Sequence, residues 1–302
     1  MLAPSGDQYE IRADGYRAVV TESGGALRAL VHDGRDLVDG FGAEEMSSGG
    51  RGQLLMPWPN RIRDGAYSFG GRDLQLPLTE PKRHNASHGL ARWVAWSLEE
   101  HTPRSVSLTY RLMAQTGYPW TLDLRVVYDL SADGLTVTQS AVNLSGAPAP
   151  YATGAHPYLA AGPGPIDDWE LTLPASTRSL VDDRLLPVGR SDVTGTAYDF
   201  RIARPIKDLS FNDAFTDLVR DDSRVATVVV TDPGTGAGVA LWVDDRHRWL
   251  QVFSADDAPG TARRSLAVEP MTAQADAFRS GEDLVVLAPD EDFSASWRIR
   301  AS

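Results

Sequence analysis

Along much of the chain, apolar and polar residues alternate one for one. Val106, Leu108, Tyr110 and Leu112 share one parity, with Ser or Thr between most of them, and Leu122, Leu124, Val126 and Tyr128 repeat the pattern. A period of two puts every second side chain on one face of a pleated strand, so both segments read as half-buried strands. Asp133-Gly134 then turns the chain into Leu135 and Val137, a hairpin signature. Tyr67 and Phe69 run into Gly70-Gly71, and Leu74 and Leu76 lead back as a second hairpin. Further strands are predicted at 18–21, 27–31, 169–173, 225–231, 239–243, 250–254 and 294–300. No long segment keeps the i, i+3, i+4, i+7 apolar stripe of an amphipathic helix.

Many short strands with frequent turn signals predict a large antiparallel β-sandwich, an all-β chain. Ala147-Pro148-Ala149-Pro150 and Gly162-Pro163-Gly164-Pro165 read as rigid loops, and Gly234-Thr235-Gly236-Ala237-Gly238 as a flexible hairpin turn. With no internal repeat and no linker-like tract, residues 1–302 are expected to form a single domain.

Composition narrows the chemistry. A formal net charge of −12 argues against a phosphate backbone or an anionic membrane face as partner. There is no cysteine, which removes disulfides, thiolate metal sites and a cysteine nucleophile. The first residues lack the basic and apolar regions of a signal peptide, and no apolar run is long enough to span a bilayer, so a cytoplasmic protein is expected. Gly-x-Ser-x-Gly, the phosphate-binding Gly-x4-Gly-Lys-Ser/Thr and Gly-x-Gly-x-x-Gly between strand and helix are all missing. His84 and His88 have a zinc-like spacing, but no Glu follows His84 and Gly89 ends any helix, so no metal and no cofactor are expected.

Four loop-like settings remain that hold reactive side chains. They are Met56-Pro57-Trp58-Pro59-Asn60-Arg61-Ile62, His88-Gly89-Leu90, His156-Pro157-Tyr158 and Val268-Glu269-Pro270-Met271-Thr272. Pro157 forces His156 toward an extended backbone, and an imidazole can give and take a proton near neutrality. Glu269 follows an apolar run, where desolvation would raise its pKa and sharpen it as a base. Taken in order, with Gly65-x-Tyr67-x-Phe69 between the first two, these segments resemble the aldose 1-epimerases, also known as galactose mutarotases.

The resemblance runs from the N-terminal strands to the last hundred residues, and it implies the family's very large β-sandwich. It also implies His156 as acid and Glu269 as base, with a small-molecule sugar held by Asn60, Arg61, His88, Tyr158, Asp213 and Gln251. The expected activity is interconversion of the α and β anomers of a free aldose. Trp58, Trp93, Trp96 and Trp120 could offer an apolar platform to a sugar face. A mutarotase for a phosphorylated or sulfonated hexose would need extra cations near His88, and Lys82, Arg83 and Arg92 are the candidates. A glycoside hydrolase would need two working carboxylates, and a non-catalytic carbohydrate-binding protein would not need both His156 and Glu269.

Overall fold

The strand Leu122–Ser131 alternates buried and more exposed positions along its length. Leu122, Leu124, Val126, Tyr128 and Leu130 all sit at 1% exposure or less. Each such side chain contributes roughly 1.5–3 kcal/mol by leaving water, which fixes the register, since a one-residue slip would expose all five. The computed structural model describes residues 2–302.

This strand belongs to a nine-stranded sheet. In spatial order the sheet comprises Ser97–His101, Ser105–Leu112, Leu122–Ser131, Gly134–Asn143, Asp292–Ala301, Ala237–Val243, Ala226–Asp232, Glu170–Thr172 and Arg204–Pro205. A second sheet runs Pro187–Asp192, Ala175–Val181, Asn212–Leu218, Trp249–Phe253, Leu266–Met271, Gly154–Ala155 and Leu54–Leu55, with Tyr158–Leu159 also paired to Leu266–Met271. Gln8–Ala13, Tyr16–Thr21, Leu27–His32 and Arg35–Asp36 form a smaller N-terminal sheet. One apolar cluster runs from Ile11 to Ile299 and joins the sheets into an antiparallel sandwich. Among the described residues, α-helix is limited to the turn Ala277–Ser280.

The expected hairpins at 67–74 and 122–137 form, the second with a shifted turn. Ser131 pairs with Gly134, so Ala132 and Asp133 make the turn and Gly134 opens the returning strand. Gly134 has φ +103, and a Cβ there would lie 2.4 Å from the Ile299 carbonyl, which only glycine avoids. The Ala147–Pro150 segment departs from the loop expectation, because Ala149–Tyr151 pairs with Val285–Leu287. Pro150 is tolerated because the pair has only two strands, leaving one edge free of partners.

Candidate active site

Period-two alternation across three adjacent strands builds one polar face. Gln251 pairs with Glu269, and Ala214 pairs with Gln251, so these side chains point the same way. Tyr158 pairs with Ala267, which carries the preceding His156 past Glu269. Their contact is close, with His156 Nε2 3.3 Å from Glu269 Oε1, and both side chains are buried. Gln139, buried in the nine-stranded sheet, steadies the approach to His156. It accepts from Trp297 Nε1 and donates to Thr153 Oγ1 and to the Gly154 carbonyl.

Burial dominates the protonation of this pair. It pushes Glu269 up to about 8, against a smaller downward pull from Arg61. It pushes His156 down to about 3, against an upward pull from the residue's own backbone and helped by the charges of Arg92, Arg51 and Arg61. Both shifts have one cause, the loss of water around a charge. Both shifts favour the uncharged forms at neutral pH, a protonated carboxyl beside a neutral imidazole.

The first two motifs are brought together by backbone pairing. Arg61–Arg63 runs antiparallel to Asn85–Ser87, which sets Asn60-Arg61 beside His88. The Asn60 amide donates to His88 Nδ1 at 3.2 Å, and the His88 amide donates to the Asn60 carbonyl at 2.8 Å. The neutral His88 ring then carries its proton on Nε2, a free donor. Burial, followed by the charges of His156, Arg92 and Arg61, holds His88 well below the usual histidine range. Its ring meets that of His156 edge-on at 5.8 Å. Gly89 permits the turn, since a Cβ there would lie 2.1 Å from the Met56 carbonyl.

Arg61 is held by Glu80, which sequence reasoning missed. Its Nε and one terminal nitrogen donate to the two Glu80 oxygens at 2.8 and 3.0 Å, and its other terminal nitrogen donates to Asn60 Oδ1 at 3.0 Å. Burial raises the Glu80 pKa, but the hydrogen bond and charge of Arg61 outweigh it and hold the carboxyl below the usual range. From Arg61, a donor-only group, a directed chain runs inward. Asn60 Nδ2 donates to Gln251 Oε1 at 3.2 Å, and Gln251 Nε2 donates to Asn212 Oδ1 at 3.0 Å. Asn60, Arg61, Gln251 and Asn212 line a small cleft with Ser179 and Gln274.

Two expected sugar contacts are placed elsewhere. Asp213 lies on the opposite face of its strand from Asn212 and Ala214, 3.5 Å from Arg178. A strand reverses side-chain direction at every residue, so Asn212 takes the cleft position instead. Tyr158 donates its hydroxyl to the Gly49 carbonyl at 2.7 Å and stacks on His156 at 5.0 Å, so its polar end is already occupied.

Trp58, Trp96 and Trp120 are core residues, at 3, 1 and 1% exposure, whereas Trp93 is half exposed beneath the Arg92 guanidinium. Arg83 pairs with Glu80 on an exposed turn that also carries Lys82. Arg92 differs from both. It is partly buried, and among the described residues its guanidinium has no hydrogen bond or ion pair, only the Trp93 ring 5.6 Å away. His84 turns outward and bonds Asp64 at 2.8 Å, separate from the buried surroundings of His88. No group of three or more His, Cys, Asp or Glu among the described residues is placed to hold a metal. No described helix is long and apolar enough to cross a membrane.

The family model for aldose 1-epimerase matches residues 7–300, and the chain belongs to that family. An uncharacterized Escherichia coli K12 protein, YihR, is 34% identical over 284 residues, covering 94% of this chain and 89% of that protein. Human galactose mutarotase is 30% identical over 220 residues, covering 66% of this chain and 62% of that protein. Among solved structures, an aldose epimerase homologue from C. elegans superposes with a TM-score of 0.86 at 19% identity, over 98% of each chain. Galactose 1-epimerase from Lactobacillus acidophilus NCFM superposes with a TM-score of 0.80 at 20% identity, over 96% of this chain and 92% of that one. These last two likenesses concern the fold.

Proposed function

We propose that this protein interconverts the α and β anomers of a free aldose, with Glu269 as base and His156 as acid. The observation that carries this reading is the 3.3 Å contact between His156 Nε2 and Glu269 Oε1, both buried. Ring opening takes a proton from the C1 hydroxyl and gives one to the ring oxygen. Both oxygens are bonded to C1, so acid and base must stand within a few ångström of each other. The 3.3 Å contact meets that demand. The bound sugar's oxygens replace part of the missing hydration and favour carboxylate with imidazolium. Glu269 then accepts the C1 hydroxyl proton while His156 protonates the ring oxygen, giving the open-chain aldehyde. Rotation about C1–C2 presents the other carbonyl face, and the transfers reverse to close the ring. Each positioned proton transfer is worth about 10²–10⁴-fold.

Asn60, Arg61, His88, Gln251 and Asn212 hold the hydroxyls, so the open chain stays bound. Asn212 takes the place expected for Asp213, and its Nδ2 is the free donor at the end of the amide chain. Anomer exchange followed by NMR with glucose and galactose tests the reading. Exchange no faster than in buffer across a panel of neutral and anionic hexoses rejects it.

A second reading, of an anionic hexose, is favoured by Arg92. A partly buried guanidinium without a carboxylate partner suits a sulfonate or phosphate, which it can bind bidentately. Arg92→Gln would then lower kcat/KM for a sulfonated or phosphorylated hexose at least about 10-fold, since a charged hydrogen bond is worth roughly 1.5–3 kcal/mol. Glucose would be little affected. Equal losses on neutral and anionic sugars would reject this variant of the function.

A further inference from the structure

His156 lacks the usual means of aiming an imidazole. A histidine acid is commonly oriented by a carboxylate or carbonyl on its second nitrogen, but His156 Nδ1 is buried and, among the described residues, no other residue offers it a hydrogen bond. The ring is gripped by packing. Tyr158 lies nearly parallel to it, at 15° and 5.0 Å. Gly50, at φ +82, packs so close that a Cβ would lie 2.8 Å from His156 Cδ2. Both supports depend on one loop. Gly49 accepts the Tyr158 hydroxyl, the Gly52 amide donates to the His156 carbonyl at 3.0 Å, and the His156 amide donates to the Gln53 carbonyl at 3.0 Å.

Arg51 anchors that loop. Its side chain is 6% exposed, and its Nε and one terminal nitrogen donate to Asp39 Oδ2 at 3.1 and 3.0 Å. Its guanidinium carbon lies over the Tyr158 ring, 4.5 Å from the centroid. Asp39 is held in turn by Ser265 at 2.9 Å and Arg264 at 2.8 Å, and its amide donates to the Tyr158 carbonyl at 2.8 Å. A buried ion pair is a poor source of net stability, and this one belongs to none of the expected sugar contacts.

We infer that Asp39, Arg51 and Tyr158 form a positioning brace that sets the angle of the His156 ring through packing, in place of a hydrogen bond to Nδ1. The inference rests on the acid role proposed for His156, but its structural half can be measured without activity. The charged and titratable groups around His156 are Glu269, His88, Tyr158, Arg92, Arg51 and Arg61. Of these, Arg51 acts both by its charge and through the ring of Tyr158.

The test uses Arg51→Met and Arg51→Lys in the full chain, with Tyr158→Phe as a milder variant that keeps the stack and loses the bond to Gly49. Asp39 keeps Ser265 and Arg264 in the Arg51 variants, which favours folding. Two readouts are taken, kcat and KM for anomer exchange, and the ¹⁵N shifts of labelled histidine across pH. Arg51→Met should lower kcat by about 10²-fold, the scale of a 1 Å misplacement, with KM within about twofold. The His156 nitrogens should move toward tautomer-averaged shifts, and protonation should begin at higher pH once the nearby positive charge is gone. Arg51→Lys should recover part of kcat, and Tyr158→Phe should lie between wild type and Arg51→Met.

Unchanged histidine shifts and unchanged kcat in folded Arg51→Met would overturn the brace. If Arg51→Met does not fold, wild-type shifts and kcat in Tyr158→Phe would overturn it. Exchange that survives His156→Asn would instead reject the acid role, leaving the ¹⁵N result to judge the brace alone.

Discussion

Glu269→Gln separates a buried acid–base carboxyl from a structural one, because the two predict opposite changes in stability. Burial lifts the Glu269 carboxyl from its ordinary 4.5 to about 8. A folded pKa above the unfolded one means that the native state prefers the protonated form. That contribution to stability is whole below pH 4.5 and is lost as pH rises through 8. The loss runs at about 1.4 kcal/mol per pH unit, on the order of 3 kcal/mol by pH 7. Glutamine escapes it. Its own cost is an amide in a place where Glu269 Oε2 finds no partner, about 1–2 kcal/mol. The variant should therefore be more stable than the wild type by roughly 1–2 kcal/mol at pH 7, a few degrees in Tm, and by more at pH 8. Below about pH 4.5 the advantage should disappear. Exchange should fall at least about 10²-fold with sugar affinity little changed. Thermal unfolding by circular dichroism at pH 4, 7 and 8.5, with NMR exchange on the same samples, measures both. A folded variant exchanging within about threefold of wild type removes Glu269 as base. A variant less stable than the wild type at pH 8 refutes the buried, protonated carboxyl.

The proposed acid–base pair also sets a pH profile. With His156 lowered to about 3 and Glu269 raised to about 8, wild-type exchange should be level between those limits and fall above the upper one; a rate still level at pH 10 contradicts the pair, and His156→Asn should cost at least about 10²-fold at pH 7. Arg61→Ala removes contacts to Glu80 and Asn60 and the proposed contact to the sugar, so binding should weaken by about 1–3 kcal/mol per lost bond. His88→Ala should cost less, and unchanged KM and kcat in both would place the sugar elsewhere. Glu80→Gln loosens the Arg61 fork and should raise KM without abolishing exchange, as titration calorimetry with the accepted sugar would show. Asn212→Ala should impair sugar binding, whereas Asp213→Asn should leave it near wild type; the reverse ranking would restore Asp213 to the cleft.

Alternation of period two, visible in the order of residues, was enough to place most strands of the nine-stranded sheet, because burying one face of a sheet is a local property repeated every second position. The residues proposed to carry the chemistry stand out because they sit in short unusual contexts, namely Asn60-Arg61, His88-Gly89, His156-Pro157 and Glu269-Pro270. What the sequence could not decide is which of two adjacent residues faces the cleft. Asn212 and Asp213 differ by one step, and a strand reverses at each step, so their roles depend on pairing with Gln251 some 39 residues onward. The partners of functional groups were equally hidden. Glu80 holds Arg61 from 19 residues away, and Gln251 meets Asn60 across 191. Tyr158 looked like a sugar contact and is instead committed to Gly49, 109 residues earlier. Such contacts exist only after the sheets have packed. A local pattern can show that an imidazole and a carboxyl are present, but only the closed sandwich brings them to 3.3 Å and removes the water that sets their protonation.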